Sequence, residues 1–182
     1  MVLCGIDEAG RGPLAGPLTI AGVILHREVV GLNDSKKLSE KKREQLFDEI
    51  IKYSTHHIAR FSAEQIDNLG LSKCLAMGLE EIMEAIGEAD YLYDGNSKFG
   101  VSGIRTMVKA DATIPEVSAA SILAKVTRDR EMNALAHLYP QYGFEAHKGY
   151  GSKKHIEAIR QYGYCEIHRQ SFKLKALQPA LF

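Results

Sequence analysis

Apolar runs and turn signals alternate along the start of the chain. Residues 1–6 and 18–25 are mostly apolar, which predicts two buried strands. Residues 10–17 lie between them and contain three glycines and two prolines, which is typical of a turn-rich connection. We therefore expect the first two strands to pair as a hairpin around this loop.

Helical spacing of apolar residues marks five further segments. The first has Leu46, Phe47, Ile50 and Ile51 on one face, and the second starts with a capping-box sequence from Ser62 to Gln65. The predicted helices start at Ser39 and Ser62 and cover residues 71–86, 115–136 and 152–162. Pro115 suits the first turn of the long fourth helix.

Three more strands are predicted at residues 55–61, 91–93 and 104–109. Residues 139–151 predict a loop, and residues 168–182 a basic, partly apolar tail. Strands mixed with helices indicate an α/β fold, and the loop-joined first strands favour a mixed sheet. The 182 residues favour a single domain spanning 1–182, with about 140–182 as a loop and helical C-terminal part.

Composition narrows the class of protein. Hydrophobic residues make up 45% and charged residues 25%, as in an ordinary soluble globular protein. The charges of the 23 basic and 23 acidic residues cancel. This argues against a protein that coats nucleic acid through a generally basic surface, but it does not exclude a local basic patch that binds nucleic acid. Three scattered cysteines without a CxxC pair argue against structural zinc and suit a cytoplasmic location. We see no signal peptide and no run of the ~20 apolar residues that span a membrane.

Acidic residues follow three of the predicted strands. Asp7 and Glu8 come after the first strand, Asp94 after residues 91–93, and Asp111 after residues 104–109. Taken singly, each has a plain explanation: a strand end emerging into solvent, an Asp-Gly-Asn turn, or a loop acid before a helix. Taken together, acids at the ends of neighbouring strands can converge at one edge of a sheet. Such a cluster would need hard cations, and two ions about 3.5–4 Å apart are the arrangement that catalyses phosphodiester displacement.

Long strings of this sequence resemble the ribonuclease HII family. They are residues 5–17 (GIDEAGRGPLAGP), 33–39 (NDSKKLS), 94–96 (DGN), 118–129 (SAASILAKVTRD), 147–151 (HKGYG), 168–169 (HR) and 171–172 (SF). The resemblance implies an RNase H-like mixed sheet flanked by helices, with a small helical C-terminal extension. It also implies metal-dependent cleavage of RNA in RNA–DNA hybrids and on the 5′ side of ribonucleotides embedded in duplex DNA.

The resemblance also implies roles for individual residues. The catalytic and metal-binding acids would be Asp7, Glu8, Asp94 and Asp111, with Mg²⁺ or Mn²⁺ as cofactor and two ions during catalysis. Residues Gly10, Arg11 and Gly12 would read the ribose 2′-hydroxyl, and Tyr150 would sense the RNA–DNA junction. The chain departs from the family pattern twice: Tyr93 stands where valine is usual, and Ala110 replaces the usual glycine, which puts the placement of Asp111 in doubt.

Basic and polar residues near these strings are candidate substrate contacts. They are Lys36, Lys37, Ser121, Lys125 and Lys148, with Arg128 on the same predicted helix stripe as Ser121 and Lys125. A solvated charged face is the alternative for the lysines, a surface turn for Arg11, and a packing side chain for Tyr150. His147, His155 and His168 have irregular spacing, which favours loop and helix-surface positions over a metal site.

Residues Gln178, Leu181 and Phe182 resemble a short peptide that docks on the replication sliding clamp. The alternative is that Leu181 and Phe182 cover the chain's own core. Expected partners are thus an RNA–DNA hybrid or ribonucleotide-containing duplex and possible clamp docking, with no membrane and a monomeric chain. Two other functions stay open at this point: a junction-binding protein without cleavage, and a DNA-directed nuclease on the same fold.

Overall fold

A five-stranded mixed sheet forms the centre of the computed structural model, which describes residues 1–33 and 35–173. The strands are β1 (Leu3–Ala9), β2 (Leu18–Leu25), β3 (Ser54–Phe61), β4 (Asp90–Asp94) and β5 (Ile104–Met107). Their order in the sheet is β3-β2-β1-β4-β5. The predicted α/β class and mixed sheet are confirmed.

Strand β1 lies at the centre and joins the two halves of the sheet. It is antiparallel to β2, with Gly5 opposite Val23, and parallel to β4, with Ile6 opposite Tyr93. The predicted hairpin of β1 and β2 is therefore confirmed. The prediction that β1 ends at Ile6 was wrong, because pairing with β2 continues to Ala9 whatever the polarity of the side chains. Asp7 and Glu8 consequently lie inside the strand.

The described residues contain six α-helices. They are α1 (Glu40–Lys52), α2 (Ala63–Leu69), α3 (Leu71–Ile86), α4 (Pro115–Leu138), α5 (Phe144–His147) and α6 (Lys153–Tyr162), and 3₁₀ helices cover Ser35–Lys37, Ala110–Ala112 and Pro140–Tyr142. The Ser39 side chain caps α1, and Ser62 and Gln65 form the predicted capping box of α2. The helix starts predicted from the sequence are thus confirmed within one residue.

The two faces of the sheet pack against different helices. Ile6, Ile20 and Tyr93 pack with α3 residues such as Leu79 on one face, while Val23 packs with α1 and α4 on the other. Gly5 allows α4 to approach β1 closely, because a Cβ atom there would lie 2.3 Å from the backbone of Glu116. This close contact brings the polar residues of α4 against the end of β1.

The C-terminal part differs from its prediction. Residues 139–151, predicted as loop, contain a 3₁₀ helix and the one-turn helix α5, since Tyr142 and Phe144 are buried against α4 and α6. The segment after α6 is also tied down, because His168 forms a β-bridge with Ala15. Strand β5 stops at Met107, earlier than predicted. Within residues 1–33 and 35–173, no helix is both long enough and apolar enough to cross a membrane.

Candidate active site

Three carboxylates meet at one edge of the sheet. Asp7, Asp94 and Asp111 each place one oxygen within 4.8 Å of the other two. Asp7 is next to Asp94 because the register pairs Ile6 with Tyr93, so the following residues lie side by side. Asp7 and Asp111 are 9% and 6% exposed, which makes this a largely buried acidic site.

Backbone donors hold Asp94 and Asp111 in relation to each other. One oxygen of Asp94 accepts a hydrogen bond from the Lys109 N–H at 3.0 Å, and the other accepts from the Asp111 N–H at 3.2 Å. The turn that allows this has Lys109 in the left-handed region at φ 60°, while Ala110 lies in the 3₁₀ helix. The alanine is therefore compatible with this turn, because the positive φ falls on the preceding residue.

Glu8 lies on the other face of β1. Successive side chains of a strand alternate between faces, so Glu8 points away from Asp7. One oxygen of Glu8 accepts a hydrogen bond from the Tyr93 hydroxyl at 2.6 Å, and the other lies 3.3 Å from the Arg11 guanidinium. The structure thus brings three of the four sequence-predicted acids into one cluster and places the fourth beside it.

Burial and like charge dominate the electrostatics of this site. Burial raises the pKa of Asp7 well above its ordinary value, and the charges of Glu8 and Asp94 raise it further. Burial also raises the pKa of Glu8, against the opposing effects of the Tyr93 hydroxyl and Arg11. Crowded, buried carboxylate oxygens are the donor set that a hard divalent cation prefers, so Asp7, Asp94 and Asp111 fit such an ion.

Gly10 and Gly12 differ in what surrounds them. Gly10 has φ +97°, and a Cβ atom there would lie 2.4 Å from Nε of Arg128 and 2.5 Å from the Pro17 carbonyl oxygen. Gly12 faces the open cleft, with the Tyr150 ring 3.8 Å from the equivalent position. The first glycine is required by the fold of the loop, whereas the second leaves the backbone accessible from outside.

Two buried arginines hold the loop of residues 10–17. Arg169 donates to the carbonyl oxygens of Gly10, Gly16 and Pro17 at 2.6, 2.9 and 3.0 Å. Arg128 donates to the carbonyls of Ala15 at 3.0 Å, and of Pro17 and Lys148 at 2.8 Å. Burial, with the nearby charge of Arg128, lowers the pKa of Arg169 to about 9. The expectation that Arg128 faces substrate was wrong, because the residue is 1% exposed and its guanidinium donates to backbone carbonyls.

An open cleft of about 390 Å³ collects most of the remaining predicted residues. Its lining comprises Asp7, Glu8, Ala9, Gly10, Arg11, Gly12, Ser35, Lys36, Ser121, Lys125 and Tyr150. An adjoining groove is lined by Asp94 and Asp111 with Lys36 and Lys37. Lys148 is not in either cleft, since its ammonium donates to Asn133 and to the Glu145 carbonyl. Ser35 was missed by the sequence analysis, although it lies inside a family-like string and its Oγ is 2.7 Å from that of Ser121.

His155 and His168 are buried, which corrects the expected surface positions, while His147 is half-buried at the end of α5. The Cys165 N–H donates to Nδ1 of His168 at 2.9 Å, so His168 carries its proton on Nε2 and donates it to Nε2 of His155 at 3.0 Å. His155 in turn donates from Nδ1 to the Tyr150 carbonyl at 2.8 Å. The ring of His147 stacks on His155 at 4.3 Å. Burial lowers the pKa of both His155 and His168 to about 4, which keeps this chain of hydrogen bonds neutral.

Comparison with known proteins agrees with this geometry. The profile of the family described as Ribonuclease HII matches residues 4–175. A ribonuclease HII of Sulfurovum sp. is 61% identical over 181 residues, covering 99% of this chain and 96% of the relative. Among solved structures, the ribonuclease HII in a PCNA complex from Archaeoglobus fulgidus has a TM-score of 0.82 and 29% identity over 100% of this chain and 98% of that one.

The ribonuclease H2 of Pyrococcus horikoshii has a TM-score of 0.76 and 30% identity, covering 95% of this chain and 94% of that one. Both solved neighbours have the RNase H-like fold that the sequence analysis expected. The buried acids therefore lie in a scaffold of known type. The chain belongs to the ribonuclease HII family and is a metal-dependent RNase H-type endonuclease.

Proposed function

We propose that this chain cuts the RNA strand of RNA–DNA hybrids and also cuts on the 5′ side of a ribonucleotide embedded in duplex DNA. The products would carry 3′-hydroxyl and 5′-phosphate ends. One observation carries the proposal: Asp7 of the acid cluster and the Gly10–Gly12 backbone line the same cleft. A phosphate beside the acids would therefore have its ribose within reach of that backbone.

Asp7, Glu8, Asp94 and Asp111 are the proposed metal ligands and catalytic acids. Mg²⁺ or Mn²⁺ fits them, with two ions present during catalysis. Bound ions would supply Lewis acidity to the attacking water and to the leaving 3′ oxygen. The chain itself positions the acids through the register of β1 and β4, and the backbone bonds to Asp94 orient that carboxylate before any substrate arrives. No side chain has to act as a nucleophile.

Recognition of RNA would depend on Gly10, Arg11, Gly12 and Tyr150. A 2′-hydroxyl both donates and accepts hydrogen bonds, so exposed backbone groups near Gly12 can distinguish it from hydrogen. The Arg11 guanidinium adds donors at the mouth of the cleft. Tyr150 is 45% exposed in the same cleft, and its ring can stack on the sugar or base next to the junction.

Lys36, Lys37, Ser121, Lys125 and Lys148 are the proposed phosphate contacts. The first four line the acid cleft or its adjoining groove, which follows the expected path of a nucleic-acid backbone. Lys148 reaches a phosphate only by exchanging its bonds to Asn133 and Glu145. We accordingly expect Lys148 to contribute least to substrate affinity.

One cleavage assay tests the proposal. A DNA duplex with a single ribonucleotide is incubated with the protein and Mg²⁺, beside an all-DNA duplex and an Asp94→Asn variant. We expect one cut on the 5′ side of the ribonucleotide with the wild-type protein alone. Binding without a cut would favour a junction-binding protein, and equal cutting of both duplexes would favour a DNA-directed nuclease. Either result contradicts the proposal.

We also propose that a single-domain, monomeric chain docks on a sliding clamp through Gln178, Leu181 and Phe182. These three residues lie outside the described residues, so the support comes from the sequence string and from the Archaeoglobus neighbour, which was solved with PCNA. A pull-down with the clamp should retain the full chain and lose a truncation ending at Leu177. Equal retention of both would contradict clamp docking through these residues.

A further inference from the structure

Tyr93 is a fully buried residue whose hydroxyl group reaches the acid site. It lies on β4 opposite Ile6 of β1, and Glu8 follows two residues later on the same face. The Tyr93 hydroxyl therefore points along the sheet toward the cleft and donates to Oε2 of Glu8 at 2.6 Å. The hydroxyl is the donor of this pair, because an ionised carboxylate has only acceptor atoms.

The two oxygens of Glu8 have partners of different mobility. Oε2 faces Tyr93, whose ring is 0% exposed and packs edge-on against Phe99 at 6.3 Å. Oε1 faces Arg11, whose side chain is 45% exposed and whose guanidinium lies over the same Phe99 ring at 5.6 Å. Arg11 can therefore leave Glu8 and turn toward a nucleic acid, whereas Tyr93 cannot move away without unpacking the core.

We propose that Tyr93 is a positioning residue for Glu8, whose carboxylate it holds in a fixed orientation beside the acid cluster when Arg11 engages substrate. The inference rests on the proposed role of Glu8 as a metal ligand. Hydrogen bonds to ligating carboxylates orient them, and a donor at this distance from a carboxylate is a strong one. Without the hydroxyl, Oε2 of Glu8 would lose its fixed hydrogen-bond donor, and the carboxylate would rotate more freely and bind a cation less well.

The same strand offers a matched control. Tyr91 is also buried on β4 and lies on the same face, but its hydroxyl donates to the backbone carbonyls of Met83 and Gly87, away from the cleft. Tyr93→Phe and Tyr91→Phe thus remove the same atom from two tyrosines on the same face of the same strand. Only the first change touches the acid site.

The decisive measurement is Mn²⁺ binding to the protein without nucleic acid, by titration calorimetry. We expect Tyr93→Phe to weaken Mn²⁺ binding about tenfold and Tyr91→Phe to change it by less than about twofold. In cleavage assays the half-saturating Mg²⁺ concentration should rise in parallel for Tyr93→Phe. At saturating Mg²⁺, kcat should recover to within about threefold of wild type, because orientation of Glu8 is then enforced by the ion.

Equal Mn²⁺ affinity in the two variants would overturn the inference, as would tighter binding by Tyr93→Phe. A double variant covers the case of a general packing defect: in a Glu8→Gln background, Tyr93→Phe should cause no further loss of Mn²⁺ affinity. A further loss there would show that Tyr93 acts independently of Glu8. If the wild-type protein neither binds Mn²⁺ nor cuts at a ribonucleotide, the proposed function fails, and the inference fails with it.

Discussion

Two clusters of buried ionisable side chains flank the loop of residues 10–17, and they are built in opposite ways. In the acid cluster, Asp7 is surrounded by other carboxylates, and both burial and like charge raise its pKa. In the cluster formed by Arg128, Arg169, His155 and His168, the named hydrogen bonds satisfy the buried groups, mostly through backbone carbonyls. The carboxylates of the first cluster repel one another, whereas the buried polar groups of the second cluster are stabilised by hydrogen bonds.

This contrast distinguishes a functional site from a structural one. Crowded carboxylates do not stabilise a fold, so a cluster of mutually repelling acids indicates a cation-binding site. A buried guanidinium bound to several carbonyls instead fixes the path of the backbone. In this chain the second cluster shapes the loop that carries Gly10 and Gly12 past the acids of the first. The comparison predicts that changes in the two clusters have opposite effects on stability.

The largest effect is expected for Asp7→Asn. Loss of a ligand at the acid cluster should lower the cleavage rate at least about a thousandfold, since metal catalysis contributes several kcal/mol. The same change should raise the free energy of unfolding in EDTA by about 1 kcal/mol, because it removes a buried charge next to like charges. Single-turnover cleavage and urea unfolding measure the two effects. The exposed Asp48→Asn should change neither the cleavage rate nor the free energy of unfolding. A lower free energy of unfolding in Asp7→Asn would contradict the proposed difference between the two clusters.

Arg169→Lys should show the reverse pattern. A lysine cannot reproduce the forked donation to Gly10, Gly16 and Pro17, so buried carbonyls lose their partners. We expect a loss of about 3 kcal/mol in the free energy of unfolding and a higher KM for ribonucleotide-containing duplex. The exposed Arg27→Lys, which affects an ion pair with Glu49 and a contact with the Tyr53 ring, should change stability by less than about 1 kcal/mol. Equal losses would show that the buried arginine has no special role.

The pH dependence of the two clusters should also be opposite. His155 and His168 have pKa values of about 4 in the fold. An unfolded histidine titrates near 6.5, so between these values the unfolded chain binds more protons and stability falls as pH falls. The raised pKa of Asp7 acts the other way, since the folded chain takes up that proton first.

Urea unfolding at pH 7.5 and pH 5 measures the balance of these terms. We expect each histidine to contribute a loss of up to about 2 kcal/mol at pH 5. His155→Leu should lower stability at pH 7.5 but flatten the decline toward acid, whereas the exposed His137→Gln should leave the slope unchanged. An unaltered slope in His155→Leu would mean that this histidine does not stay neutral in the fold.

The smallest effect on stability is expected for Gly12→Ala. A Cβ atom there meets only the Tyr150 ring at 3.8 Å, so unfolding should change by less than about 0.5 kcal/mol. The methyl group would nevertheless stand between the backbone and a ribose, and KM for ribonucleotide-containing duplex should rise about tenfold. Gly10→Ala, by contrast, should destabilise the fold because its Cβ would strike Arg128 and Pro17. Similar unfolding curves for both variants would contradict this difference.

The sequence pattern predicted the helices and strands and most of the residues that line the cleft. Continuous apolar runs and caps such as Ser39 and Ser62 are local signals, and they predicted the starts of the helices within one residue and of the strands within two. The strings 5–17 and 94–96 contain Asp7 and Asp94, and the family resemblance also implied Asp111; the structure brings these three acids together. The local pattern gave a wrong prediction where the packing residues are distant in sequence. Residues 139–151 were predicted as loop, but their apolar side chains are buried against α4 and α6.

By itself, then, the sequence determined the order of strands and helices and the α/β class, because these depend on spacing and residue type, whereas the acids were named through the family resemblance. Only the tertiary structure decided that Glu8 lies outside the cluster of three aspartates and accepts a hydrogen bond from Tyr93, since that depends on the register of β1 against β4. Tertiary contacts also decided that Arg128, His155 and His168 are buried. From the sequence alone, a charged side chain such as Arg128 is expected to be exposed. It is buried here because the fold places the carbonyl groups of residues 15, 17 and 148 where they accept its hydrogen bonds.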